Sequence, residues 1–180
     1  VLFFFGAALK QGRLGGIAYG LAWAARVPHA LSLGLRWAEV GHGPYSSRYE
    51  VLSSNAFLLV LIFALSAWWV KGLRPLGIAV LPVAFLGMGW AVSYFGIKGE
   101  VPIIFKSYWL YLHIGFAKCF GATVLLSAGC AAAYLIKSRG SKRLPKLPAP
   151  ERLDLYSHQF LLVSFLCLGV MIVAGSLWAH

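Results

Sequence analysis

The chain has 180 residues, of which 60% are apolar and 12% are charged, and its mean hydropathy is +0.77. A soluble domain has about half its residues apolar and about a quarter charged. The composition therefore excludes a disordered chain, a secreted disulfide scaffold and an ordinary cytosolic enzyme, and a membrane protein remains. The net charge of +11 indicates nucleic-acid binding only if the basic residues form a folded surface, so their positions decide what it means.

Apolar runs of the length needed to cross a bilayer, about 20 residues at 1.5 Å each, follow one another along the chain. The sequence therefore predicts an all-α integral membrane protein, a polytopic helical bundle in a single membrane domain. A partial span over residues 1–9, which lacks the features of a signal peptide, precedes five full spans at 14–35, 51–70, 76–97, 107–136 and 155–178.

The basic residues lie mostly in the loops of one side. Ten of the 16 fall in the loops 10–15, 71–75 and 137–154, and four fall in the loops 36–50 and 98–106. The positive-inside rule places the first set in the cytoplasm, with 137–154 as a basic linker beside anionic lipid head groups. This distribution explains the net charge through topology and makes nucleic acid the weaker interpretation.

His113 is the first ionisable candidate inside a span. It lies 23 residues before Ile136, roughly 35 Å along a helix, whereas the apolar core of a bilayer is about 30 Å thick. It is therefore expected at the outer boundary, among Tyr108, Trp109 and Tyr111. A neutral imidazole there can ligate a metal or haem iron, and the alternative is an interfacial histidine wetted by head-group water.

A polar stripe is predicted in the second span, where Arg26, His29, Ser32 and Arg36 recur at helical spacing. Such a stripe is expected to face other helices, because a charge directed at hydrocarbon is costly. It either lines a ligand site or forms interhelical hydrogen bonds that fix the packing. The residues alone favour neither of these two interpretations over the other.

The other ionisable and cysteine positions predict no enzyme site. Lys118 is expected to extend outward to the head groups, and His158 to contact head groups at the inner interface. All five acidic residues lie in loops, and the three cysteines lie in apolar stretches without a CxxC pair.

Three blocks resemble the cytochrome c biogenesis proteins of the CcsA/ResC type. RWAEVGHGP followed by SSRYE, at 36–50, is similar to the family's RW-x3-G-[HR]-x-P-x-[ST]-N-x-YE, with Arg48 where the family usually has Asn. SYWLYLH, at 107–113, is similar to the family's SYW-x3-H. Residues 153–179 are similar to the helix that leads into the family's tryptophan-rich WWD segment.

This resemblance implies a membrane protein that binds haem and presents it on the outer face for covalent attachment to apocytochrome c. It makes His113 an axial ligand of the haem iron. Trp109, Tyr108, His29 and Arg26 are the further candidates for contact with the cofactor. The chain thus resembles the core of a cytochrome c synthase, or haem lyase.

The resemblance also implies a partner of the ResB/CcsB type and a place in the bacterial inner membrane, or in the thylakoid membrane of a plastid. The chain ends before the WWD segment, so we expect a truncated form that lacks part of the site. Two alternatives remain: a small transporter, and a structural assembly subunit that binds no haem.

Overall fold

The computed structural model describes residues 13–96, 107–139 and 147–180, and the regular elements in these ranges are all helical. The all-α polytopic class predicted from the sequence is confirmed. In chain order the elements are α1 (Arg13–Ala24), α2 (Arg26–Val40), α3 (Arg48–Trp69), a 3₁₀ helix (Lys71–Leu76), α4 (Gly77–Val92), α5 (Tyr108–Ser138) and α6 (Pro150–Ala179).

Four helical segments of the described chain are long and apolar enough to cross a membrane: α3, Lys71–Val92, α5 and α6. They overlap four of the five full spans expected from the sequence. Helix α6 begins at Pro150, before the expected start at residue 155, because proline fits the first helical turn and Glu151 interacts favourably with its positive end. The expected linker 137–154 is correspondingly shorter. Its residues 140–146 and the partial span 1–9 lie outside the described residues.

The expected span 14–35 is not one helix, because the chain breaks at Ala25 between α1 and α2. The interruption is local, because the Ala25 backbone keeps near-helical angles (φ −63°, ψ −16°). We attribute it to Pro28, which has no N–H to donate to the Ala24 carbonyl and whose ring crowds that carbonyl. Proline is tolerated in the first turn of a helix, so α2 restarts at Arg26. Apolar length alone did not reveal this interruption.

Helix α3 is the centre of the bundle and packs against α2, α4 and α5. Its side chains Phe63, Ala64 and Ala67 are completely buried, and small residues of this kind let helix backbones approach closely in a membrane. Tyr19 of α1 donates a hydrogen bond to the Ala64 carbonyl at 2.5 Å. Helix α6 packs mainly along α5, and most of its remaining surface is exposed.

Candidate functional site

His113 lies near the end of the bundle that is formed by the start of α5 and the loop 41–47. We call this the outer end, because the charge pattern predicts that it faces away from the cytoplasm. Ser107 has an extended backbone and caps α5, which begins at Tyr108. His113 is therefore about 7 Å along the helix axis from its start, and its side chain is half-buried.

One nitrogen of the His113 ring is fixed by α6. Nδ1 lies 2.8 Å from the carbonyl oxygen of Met171. Since a carbonyl oxygen only accepts hydrogen bonds, Nδ1 must carry the proton, and the lone pair of the neutral ring is on Nε2. Nε2 makes no hydrogen bond to the described residues. This arrangement is the one that metal-ligating histidines adopt, with the distal nitrogen held by a carbonyl.

Gly175 provides the space for this ring. A Cβ at position 175 would lie 2.7 Å from Nδ1 of His113 and 3.0 Å from its Cε1, closer than nonbonded atoms normally approach. Gly175 is one helical turn beyond Met171, so the same face of α6 supplies both the acceptor and the gap. The role of Gly175 could not be predicted from the sequence, because no pattern in a single sequence links this glycine to a residue on another helix.

The aromatic residues around His113 separate into two groups. Trp109 precedes His113 by four residues and shares its helix face. It is 42% exposed, and Tyr108, which is 70% exposed, packs edge-on against it with the ring centroids 6.2 Å apart. Tyr111 points elsewhere, because its hydroxyl lies 3.2 Å from the hydroxyl of Tyr45 in the loop 41–47. The structure thus brings Trp109 and His113 together and uses Tyr111 to hold the loop.

The loop 41–47 is fixed to α3 by a buried carboxylate. Glu50, 1% exposed, accepts hydrogen bonds from the backbone N–H groups of Ser46 and Ser47 at 3.1 and 3.2 Å, and Ser47 Oγ accepts one from the Glu50 N–H. This is a capping box that starts α3. Arg36 Nε donates to Glu50 at 3.2 Å. The first block of the resemblance therefore has a structural role at this end of the bundle.

Lys118 also holds the loop, which differs from our expectation that it would reach the head groups. Its Nζ lies within hydrogen-bond distance of Ser54 Oγ on α3 and 3.4 Å from the Pro44 carbonyl. A cation inside a span is stabilised by polar partners, and these two are nearer than the membrane surface.

Tyr45, in the same loop, has a hydroxyl that is harder to ionise than usual. Burial of this hydroxyl, followed by its hydrogen bond to Tyr111, raises the pKa of Tyr45 to about 12.

The polar stripe of α2 faces α3, as predicted. Arg26 is buried and its Nη2 donates to the Val60 carbonyl at 2.8 Å, and His29 Nε2 lies 3.0 Å from Ser53 Oγ. Arg36 reaches Glu50 as described. Ser32, in contrast, is exposed, so it is not part of the contact.

His113 and the pair Arg26 and His29 are not brought together. The hydrogen bond of His113 reaches α6, whereas those of Arg26 and His29 reach α3. Lys118, which faces α3, is five residues after His113, and five residues turn a helix by about 140° beyond one full turn. His113 therefore points to a different side of α5.

Comparison with known proteins identifies relatives of one kind. No protein-family model and no solved structure matches the chain. The cytochrome c biogenesis protein CcsA of Parasynechococcus marenigrum is 28% identical, over 98% of this chain and 67% of its own length. CcsA of Picosynechococcus is 30% identical, over 63% of this chain and 34% of its own. The chain is CcsA-like.

The likeness extends to plastid proteins, since CcsA of Chlamydomonas reinhardtii is 26% identical over 83% of this chain and 45% of its own length. The chain spans between about a third and two thirds of the curated CcsA relatives just described. In the described ranges of this CcsA-like chain, no group of three or more His, Cys, Asp or Glu side chains is placed to hold a bare metal ion.

Proposed function

We propose that the chain is a membrane component of cytochrome c maturation that binds haem at the outer end of the bundle and presents it for covalent attachment to apocytochrome c. The likeness to CcsA proteins supports the process. The observation that carries the site is the His113 ring, whose Nδ1 donates to Met171 at 2.8 Å and whose Nε2 remains open to a ligand.

In this proposal His113 is the axial ligand and the residues around it orient it. The Met171 carbonyl keeps the proton on Nδ1 and fixes the ring orientation, which leaves Nε2 available for coordination. Trp109, exposed on the same face, offers an apolar surface to a flat cofactor. Tyr108 is the outer neighbour of Trp109. Bound haem would supply a vinyl-bearing macrocycle for attachment to cysteine thiols.

Arg26 and His29 do not enter this haem site, because their contacts are with α3 and not with the α5–α6 pair. We further propose apocytochrome c as the substrate protein, a ResB/CcsB-type protein as the partner, and the bacterial inner membrane or the thylakoid membrane as the location.

The test is His113→Gly, made in the chain and in the matching full-length CcsA background, with and without added imidazole. We expect the variant to lose haem absorbance and cytochrome c maturation, and free imidazole to restore part of both by occupying the vacated position. The matched control is His158→Gly, because His158 is exposed on α6 near its start. If His113→Gly keeps its haem spectrum and maturation without imidazole, His113 is only an interfacial residue and the site assignment is wrong.

A further inference from the structure

A second candidate site lies on the other side of the bundle, in a cavity of about 330 Å³ between α1, α2, α3 and α4. This volume is at the lower end of the range found for small-molecule pockets. Leu21 and Phe85 at its rim are more than half exposed, so the cavity opens toward the bilayer side of the helices. Apart from Arg26 and His29, the side chains that line it are apolar.

The side chain of Arg26 lines this cavity and has one N–H donor without a hydrogen-bond partner among the described residues. It is only 7% exposed. Nη1 donates to the Ala22 carbonyl at 2.5 Å and Nη2 to the Val60 carbonyl at 2.8 Å, while Trp23 lies 5.1 Å from the guanidinium carbon. Nε is buried and has no partner among the described residues. Buried polar atoms without a partner are rare. Arg36 Nη2 and Arg74 Nε are also without one among the described residues, but of these three side chains only Arg26 lines the cavity.

Among the described residues, no carboxylate forms an ion pair with Arg26. The sequence has no Asp or Glu from 13 to 38 or from 51 to 99, which covers α1, α4 and most of α2 and α3. Glu39 is about 20 Å farther along the helix axis, and Glu50 is held by Arg36. Carbonyl oxygens accept hydrogen bonds but do not neutralise a charge, and an isolated charge in an apolar environment is strongly unfavourable.

We propose that this cavity binds a hydrophobic molecule through a carboxylate that pairs with Arg26. The guanidinium matches a carboxylate in charge and in planar geometry, and the apolar lining accepts an acyl or ring body. His29 lies one helical turn from Arg26 on the same face of α2 and is the second polar side chain that lines the cavity. Two sources supply this chemistry: a free fatty acid, and a haem propionate. Only the second source rests on the proposed function.

Binding of two matched pairs of probes to the purified full chain in nanodiscs tests the proposal. The first pair is the fluorescent fatty acid cis-parinaric acid and its methyl ester, and the second is haemin and haemin dimethyl ester. We expect at least one acid to bind about tenfold or more tightly than its ester, since a charge-assisted hydrogen bond contributes this much. The pair that shows the preference identifies the source.

The variants separate charge from fold. Arg26→Gln should abolish the preference for the acid. Ala84→Leu fills the cavity without changing Arg26, so it should also weaken binding of the acid. If Arg26→Gln does not fold, this variant tests whether the acid binds in the cavity. Arg152→Gln, at an exposed arginine of α6, should change nothing. Equal affinity for acid and ester in both pairs, or a preference that survives Arg26→Gln, overturns the proposal. The haemin pair is measured in the His113→Gly chain, so that haemin bound at the proposed haem site does not contribute.

Discussion

Gly175 matters for the chemistry of a residue on another helix. In Gly175→Ala the new Cβ would stand 2.7 Å from His113 Nδ1, so the ring must move and lose its hydrogen bond to Met171. Loss of such an orienting partner lowers metal affinity by about tenfold or more. We expect Gly175→Ala to reduce haem retention by this order, measured as haem absorbance per purified protein.

The matched control is Gly169→Ala in the same helix, where an added Cβ meets nothing within 4 Å. This variant should keep its haem, and should be slightly more helical because alanine is the better helix former. Equal losses in the two variants would mean that haem retention follows the general stability of α6, and the role given to Gly175 would then be wrong.

Tyr45 makes the loop 41–47 sensitive to alkali. Burial raises the pKa of its hydroxyl to about 12, above the usual value of about 10, so the folded state favours the neutral form. The resulting stability is complete below about pH 10 and is lost as the pH rises through 12. Tyr45→Phe should therefore remove the last tyrosine to ionise in an ultraviolet titration. Tyr108→Phe, at an exposed position, is the control and should leave this late ionisation of Tyr45 in place.

These residue pairs show what a single sequence can and cannot reveal. The depth of His113 followed from counting residues at a fixed rise per residue, and its aromatic neighbours were adjacent in the chain. The acceptor of its hydrogen bond, the Met171 carbonyl, is 58 positions away in the chain. Lys118 contacts Ser54 on α3 and not the head groups. Such partners depend on which faces of two helices meet, and apolar spans carry little pattern that fixes this.

At the scale of elements, Pro28 determines where the first described membrane segment breaks. In Pro28→Ala the missing N–H is restored and the clash with the Ala24 carbonyl disappears, a change of about 3 kcal/mol in a helix interior. We expect α1 and α2 to join into one helix through Ala25. Hydrogen exchange of the amides around Ala25 should slow markedly.

Pro82→Ala in the uninterrupted α4 is the control and should leave exchange at Ala25 unchanged. If exchange at Ala25 remains fast in Pro28→Ala, the break has another cause. Span lengths were predictable because bilayer thickness fixes them, whereas this break depended on one missing N–H within an apolar run.

At the scale of the whole molecule, the ten-to-four asymmetry of basic residues predicts the orientation. Arg48→Cys and Arg139→Cys place a thiol at exposed positions on opposite ends of the bundle. In intact cells a membrane-impermeant maleimide should label position 48 and should reach position 139 only after lysis. The unmodified chain measures the background from its own cysteines. Labelling of 139 but not 48 in intact cells would reverse the topology.

The pairing of α6 with α5 imposes a delay during synthesis, because donors on α5 are translated before their acceptors on α6. His113 and Ser127 leave the ribosome well before their acceptors, the carbonyls of Met171 and Ser157. At 5–20 residues per second, the 58 positions between His113 and Met171 take roughly 3–12 s to translate. During that interval α5 holds polar groups without partners, which favours its retention in the insertion channel until α6 arrives. The histidine acquires its fixed tautomer only when this hairpin closes, so in the proposed function haem is loaded after α6 has been translated.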